Sequence, residues 1–280
     1  MTRSTRLRGI GFVAPLLVVM ALAYVWPLWQ AMLNSLHANT PHGIDTASWT
    51  LANFARLSDP LYTEVLLRTL RISAIVSLIT AALVYPVALH LTRMAPRWQP
   101  WVILAFVSPF LVSTVVKSFG WSLLLRGNGL INAALQALHV TDAPLRLMLN
   151  ETGIIIALVP GHFMFVLLPL WTAIAGIDPA LGWAAGTLGA RRRQVFRHVI
   201  LPLSWPALIT GLVINFIMNM TAFAAPAILG GARTLVVSVL AYQVNLEQLD
   251  WPFGSAIAVA LLLFTLTLVG LGQKLAVWRR

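Results

Sequence analysis

Along this chain, long charge-free runs alternate with short charged ones. The charge-free runs are 9–44, 72–92, 98–116, 152–177, 198–232 and 251–273. Crossing a bilayer takes about 20 predominantly apolar residues. Each run reaches that length once the third is carried past Lys117. They predict six helices, near 10–34, 66–91, 100–125, 153–176, 203–228 and 254–275. One interruption has an organisation of its own. Asp178 can cap a helix whose first residue is Pro179, where a missing N–H costs nothing. Gly189 can end that helix in a left-handed conformation. A second helix then runs from Ala190 to about Val199, and Pro202 opens the next apolar segment. This is a short helix–turn–helix over 178–202, more than a chain reversal needs.

Composition agrees with the pattern. Hydrophobic residues make up 59% of the chain and charged residues 10%, where a soluble domain carries about 25% charge. The expectation is an all-α, polytopic membrane protein with six transmembrane helices. The first run resembles a secretory signal: Arg3, Arg6 and Arg8 precede it, and Ala21-Leu22-Ala23 could be cleaved. The apolar run continues through Tyr24-Val25-Trp26-Pro27-Leu28, so it reads as an uncleaved first span. No cysteine is present, which excludes disulfides and thiolate metal sites. No linker or strong repeat divides the chain, so 1–280 reads as one transmembrane domain with a core at about 64–275. Between spans, residues 37–63 place Trp49, Leu51, Phe54 and Leu57 at helical spacing. Residues 127–141 read as a small amphipathic helix that Asn128 could cap.

Charge sets an orientation. With the N-terminus in the cytoplasm, the inner segments hold Arg3, Arg6, Arg8, Arg93, Arg97, Arg191, Arg192, Arg193, Arg197, Lys274, Arg279 and Arg280, against one acid, Asp178. The other seven cations are matched by seven acids. This is the positive-inside arrangement with both termini cytoplasmic. The net charge of +11 therefore orients spans and does not indicate a nucleic-acid partner.

Catalytic signatures are missing from the sequence. There is no phosphate-binding loop, no His-Glu-x-x-His and no nucleophile elbow. Serines such as Ser73, Ser77, Ser113 and Ser122 more often pack membrane helices together than act as nucleophiles. Lys117 is the one charged side chain well within a predicted span, toward its outer end. An ion-coupled carrier usually places ionisable groups near the midplane, so energy is expected from outside this chain. A self-contained carrier or channel is the alternative. Polar residues at membrane depth have two readings. His162, Asn215 and Asn219 either bond between helices or line a passage; Asn215 and Asn219 share a helix face. Tyr85 and His90 pose the same choice. Trp121 is either interfacial or an aromatic face for a cation.

The sequence Ala184-Ala185-Gly186-Thr187-Leu188-Gly189-Ala190, followed by Val199-Ile200-Leu201-Pro202-Leu203, resembles the EAA loop of binding-protein-dependent ABC importer permeases. Further segments resemble the first permease subunit of spermidine/putrescine-type importers. They are Ser108-Pro109-Phe110, Lys117-Ser118-Phe119-Gly120-Trp121, Leu125-Arg126-Gly127-Asn128-Gly129, Thr221-Ala222-Phe223-Ala224-Ala225-Pro226 and Leu249-Asp250-Trp251-Pro252-Phe253-Gly254. The likeness covers about residues 10–275. It implies the type I, MetI-like permease architecture in a bacterial inner membrane. It also implies a second homologous permease, two cytoplasmic ATP-binding subunits and a soluble binding protein on the outer face. This chain then binds no cofactor; ATP and Mg belong to the partner ATPase. Polyamines are the implied substrate, with an amino-acid derivative, opine, phosphonate or iron(III) complex as alternatives. The residues implied in ATPase coupling are Trp183, Ala184, Ala185, Leu188, Gly189, Ala190, Arg191 and Pro202. Trp121, His162, Asn215 and Asn219 are the candidates for lining the passage. Two positions depart from the family: Trp183 stands where a Glu is usual, and Lys117 where an Arg is usual.

Overall fold

A computed structural model describes residues 15–277, apart from His42, Ala232 and Arg233. The expected helix start at 10–14, and Arg3, Arg6, Arg8, Arg279 and Arg280, lie outside the described residues. The described chain is mainly helical. Four helices are long and apolar enough to cross a membrane: Pro15–Asn34, Pro60–Arg93, Arg192–Met220 and Trp251–Leu275. Two further helix pairs are bent at a short break, Gln99–Leu111 with Thr114–Ala137 by 96° and Glu151–Gly161 with Met164–Ala175 by 43°. Counting each bent pair as one span brings the number to six.

The chain forms two compact units, one from residues up to Thr63 with Ala241–Phe264, the other from Glu64–Leu240 with the segment from Thr265. In the first unit, the segment after Asn34 is not wholly helical. Ala38–Thr40 pairs antiparallel with Gly43–Asp45, and only Ala52–Arg56 forms the helix expected between the first two spans. Gly43, at φ 116°, makes the reversal that an L-residue resists. Buried Asn53 donates to the carbonyls of Ser35 and His37, at 3.0 and 2.8 Å. The last long helix starts on Asp250, whose Oδ1 accepts from the Phe253 N–H at 3.2 Å. Its Oδ2 accepts from Arg56 at 2.8 Å, and the same guanidinium lies 3.9 Å over the Phe253 ring. Burial is the largest single influence and works against the Arg56 charge, but Asp250 and Tyr62 together more than offset it and hold the guanidinium above its ordinary pKa.

The second unit holds two apolar cores. One gathers Ile72, Val76, Leu125, Ile154, Leu158 and Leu229; the other gathers Val84, Ala88, Val166, Leu167, Leu170 and Leu208. The Pro60–Arg93 helix supplies both, because its small and β-branched residues recur every three or four positions on one face. Asn150 caps the Glu151 helix, its Oδ1 accepting from the Gly153 N–H at 2.9 Å. Glu151 also meets Arg71 at 2.5 Å and Arg68 at 3.5 Å, tying the start of its helix to the Pro60–Arg93 helix.

Several expected boundaries move. The helix expected over 100–125 breaks at Val112–Ser113, where the backbone turns extended. The one expected over 203–228 stops at Met220, and a separate helix spans Ala224–Leu229. Asn128 does not cap the 130–137 helix, which begins after Gly129 without a side-chain cap. Asn132 is the organising residue there, bonded to Arg126 and to both backbone groups of Leu145.

Candidate functional site

Two places in the second unit combine exposed or cavity-lining groups with a built geometry. The first is the 178–202 segment. The Asp178 carboxylate accepts from the Ala180 N–H at 2.9 Å and starts the Pro179–Thr187 helix. The end of that helix is a Schellman motif: Ala190 N–H donates to Ala185 and Gly189 N–H to Gly186, each at 3.0 Å. Gly189 takes φ 80°, and a Cβ built on it would meet open space. The demand for glycine is therefore conformational, not steric. The turn presents Leu188 at 88% exposure, with Trp183 at 74%. Ala184 and Arg191 are exposed; Ala185, Ala190 and Pro202 are half-buried. Trp183 also borders a cavity of about 510 Å³ shared with Arg93, Trp171 and Asp178. An exposed apolar tip, followed along the chain by Arg191, Arg192, Arg193 and Arg197, suits a protein surface better than open water.

Beyond the turn, the expected helix from Ala190 to Val199 and the opening at Pro202 give way to one continuous helix, Arg192–Met220. Pro202 offers no N–H to a helical carbonyl. A wide π-helical turn over Phe196–Ile200 lies just ahead of it and lets the helix run on. Tyr85 supports this stretch from the Pro60–Arg93 helix. Its hydroxyl lies 2.6 Å from Ser204 Oγ, and its ring meets Phe196 edge-on at 5.4 Å. Sequence reasoning named Tyr85 but not these partners, since they are more than 100 positions away.

The second place is a cavity of about 320 Å³ where the two helix breaks converge. Pro109, Val112 and Thr114 come from one break, Pro160, Gly161 and His162 from the other, and Lys117, Ser118 and Trp121 add further polar groups to the wall. Two of the four expected passage residues, Trp121 and His162, are therefore brought together here. Asn215 and Asn219 are not: they are buried at 0% and 4% exposure inside the bundle. They hold His162 in place. Asn215 Nδ2 donates to the His162 carbonyl at 3.0 Å, which fixes that amide because a carbonyl only accepts. Asn215 Oδ1 then accepts from Ser77 at 3.0 Å and from Asn219 Nδ2 at 2.8 Å. Asn219 Oδ1, left facing the ring, accepts from His162 Nδ1 at 2.7 Å. The proton is thus placed on Nδ1, and Nε2 is left as an acceptor. Lys117, noted in the sequence as a charge within a span and as a departure from the family, also lines this cavity.

These features have counterparts among known proteins. A family model described as the inner membrane component of binding-protein-dependent transport systems matches residues 10–279. The spermidine/putrescine transport system permease protein PotB of Salmonella typhimurium (strain SL1344) is 34% identical over 231 residues, which is 82% of this chain and 79% of that protein. Its namesake in Haemophilus influenzae is 34% identical over 212 residues, 76% of this chain and 74% of that one. Among solved structures, a bacterial alginate ABC transporter, in complex with alginate pentasaccharide-bound periplasmic protein, includes a chain that superposes with a TM-score of 0.80 at 17% identity, over 98% of this chain and 95% of that one. The fold is that of ABC importer permeases. The chain belongs to the family of binding-protein-dependent transport system inner membrane components, as a multi-pass permease subunit.

Proposed function

We propose that this chain is one of two homologous permeases that form the passage of an ATP-driven importer in a bacterial inner membrane, carrying polyamines or a related small solute. The polyamine reading is supported by relatives named for spermidine and putrescine transport. The protein spans the membrane six times, with both termini and the 178–202 segment in the cytoplasm, where the excess of arginine and lysine lies. Two ATPase subunits bind ATP and Mg and grip that segment; a soluble binding protein delivers solute on the outer face. Residues 1–280 act as a single transmembrane domain. The chain itself makes and breaks no covalent bond.

The observation that carries the reading is the turn at Gly189, which holds Leu188 almost fully exposed just ahead of the arginine run 191–193. Leu188, Gly189 and Ala190 enter a groove of the ATPase. Trp183, Ala184 and Ala185 pack on the helix face beside them, Arg191 pairs with acids at the rim, and Pro202 keeps its half-buried place in the following helix. Closure of the ATPase pair on ATP moves the segment and opens the passage outward; release of ADP reverses it. The test is affinity purification of the detergent-solubilised protein from its own host. A second permease and an ATPase co-elute, and Leu188→Glu lowers ATPase recovery about tenfold, the scale expected when a charge enters an apolar contact. Recovery of the wild-type chain alone, or equal ATPase recovery with Leu188→Glu, would overturn the reading.

A further inference from the structure

The cavity between the two helix breaks carries chemistry that a cargo with amines alone does not match. Its one charged wall residue is Lys117, and no carboxylate is among the described residues that line it. An ammonium on a largely apolar wall at membrane depth calls for an opposite charge. In the same wall His162 offers the reverse chemistry. With Nδ1 donating to Asn219, its Nε2 is a neutral acceptor suited to an N–H donor. Trp121 adds an aromatic face, which attracts alkylammonium groups. The cavity is within the size range of small-solute sites, at about 320 Å³.

We infer that this cavity is a transit site for a small zwitterion, in which Lys117 takes an oxyanion and His162 Nε2 with Trp121 takes an ammonium. The inference rests on the permease reading and takes its cargo to be a related small solute, not a polyamine. A diamine would set one of its cations against Lys117, whereas an amino acid or amino phosphonate satisfies both ends. Asn215 and Asn219 act as positioning residues, because they fix the ring that presents Nε2. Placing the donor and the acceptor on segments that meet at two helix breaks also lets a small movement of either segment separate them and release the solute.

The test uses the complete importer in proteoliposomes, with its own partner permease, ATPase and binding protein. Three probes of matched length differ at one end: putrescine, γ-aminobutyrate and aminopropylphosphonate. The wild type imports at least one of the two zwitterions with ATP. Lys117→Met lowers the ratio of zwitterion to putrescine uptake about tenfold, as expected for loss of a charge-assisted bond, and Lys117→Arg restores most of it. The ratio compares solutes on one preparation, so poor folding of a variant cancels. An unchanged ratio in Lys117→Met, or import of putrescine without either zwitterion, overturns the site and leaves the permease reading standing. Absence of ATP-driven uptake for all three probes overturns both.

Discussion

Gly189 shows how one backbone angle organises a contact surface. Its φ of 80° closes two hydrogen bonds that end the preceding helix. It also turns Leu188 outward instead of into a continued helix. Because no atom crowds its absent Cβ, substitutions should be graded by left-handed tolerance alone. Asparagine adopts that region readily, alanine loses about 1 kcal/mol, and β-branched valine loses more. Uptake driven by ATP is therefore expected in the order Gly, Asn, Ala, Val, with Val reduced at least about tenfold. Measuring uptake and ATPase retention for the four proteins checks this; a valine variant equal to wild type removes the turn from the mechanism. This site was legible in sequence because its signals are local: an acid before Pro179, and a glycine ten residues on. The roles of Asn215 and Asn219 were not. Their spacing placed them on one face, but only the tertiary approach of His162 decided that the face is buried.

Among elements, the helix Arg192–Met220 links the two places described. It begins beside the exposed turn and carries Asn215 and Asn219 to the histidine break, about 35 Å away at the helical rise. A proline at 202 read as a helix opening in the sequence; the π-turn ahead of it makes the element continuous. The breaks at 112–113 and 162–163 were equally hidden, since each lies within an unbroken charge-free run. Proline at 109 or 160 marks them only weakly, because Pro86 sits inside a helix that continues. Packing holds the long helix to its neighbour through Gly211. A Cβ there would lie 3.0 Å from Val166 Cα and 3.1 Å from the Phe165 carbonyl oxygen. Both obstacles are backbone, so neither yields by changing rotamer. Gly211→Leu should force the helices apart and cost about 1–3 kcal/mol. It is read as a lower midpoint of thermal unfolding for the purified complex in detergent. A midpoint equal to that of wild type would mean that the helices are not packed this closely.

At the scale of the whole molecule, the absence of cysteine turns topology into a direct measurement. Each introduced cysteine is the chain's only thiol, so labelling by a membrane-impermeant maleimide reports one position at a time. Leu188, 88% exposed at the turn, is expected on the cytoplasmic side, and Leu138, 73% exposed after the 130–137 helix, on the other. The argument is electrostatic: twelve cations and one acid lie on the proposed inner segments, while the remaining charges balance. Leu138→Cys should label in intact spheroplasts and Leu188→Cys only in inverted vesicles. Because the 96° bend at 112–113 permits a re-entrant course for the third apolar run, the two sites also count spans. With the N-terminus inside, a third run that crosses puts 138 outside and 188 inside, whereas a re-entrant one exchanges the two sides. Adding the ATPase should then slow the labelling of Leu188→Cys and leave Leu138→Cys unchanged, since only the former belongs to the proposed docking segment. Labelling of Leu138→Cys from inside and Leu188→Cys from outside would make the third run re-entrant and reverse the assignment of every segment after it; labelling of both from one side would mean that the Glu151–Ala175 pair does not cross.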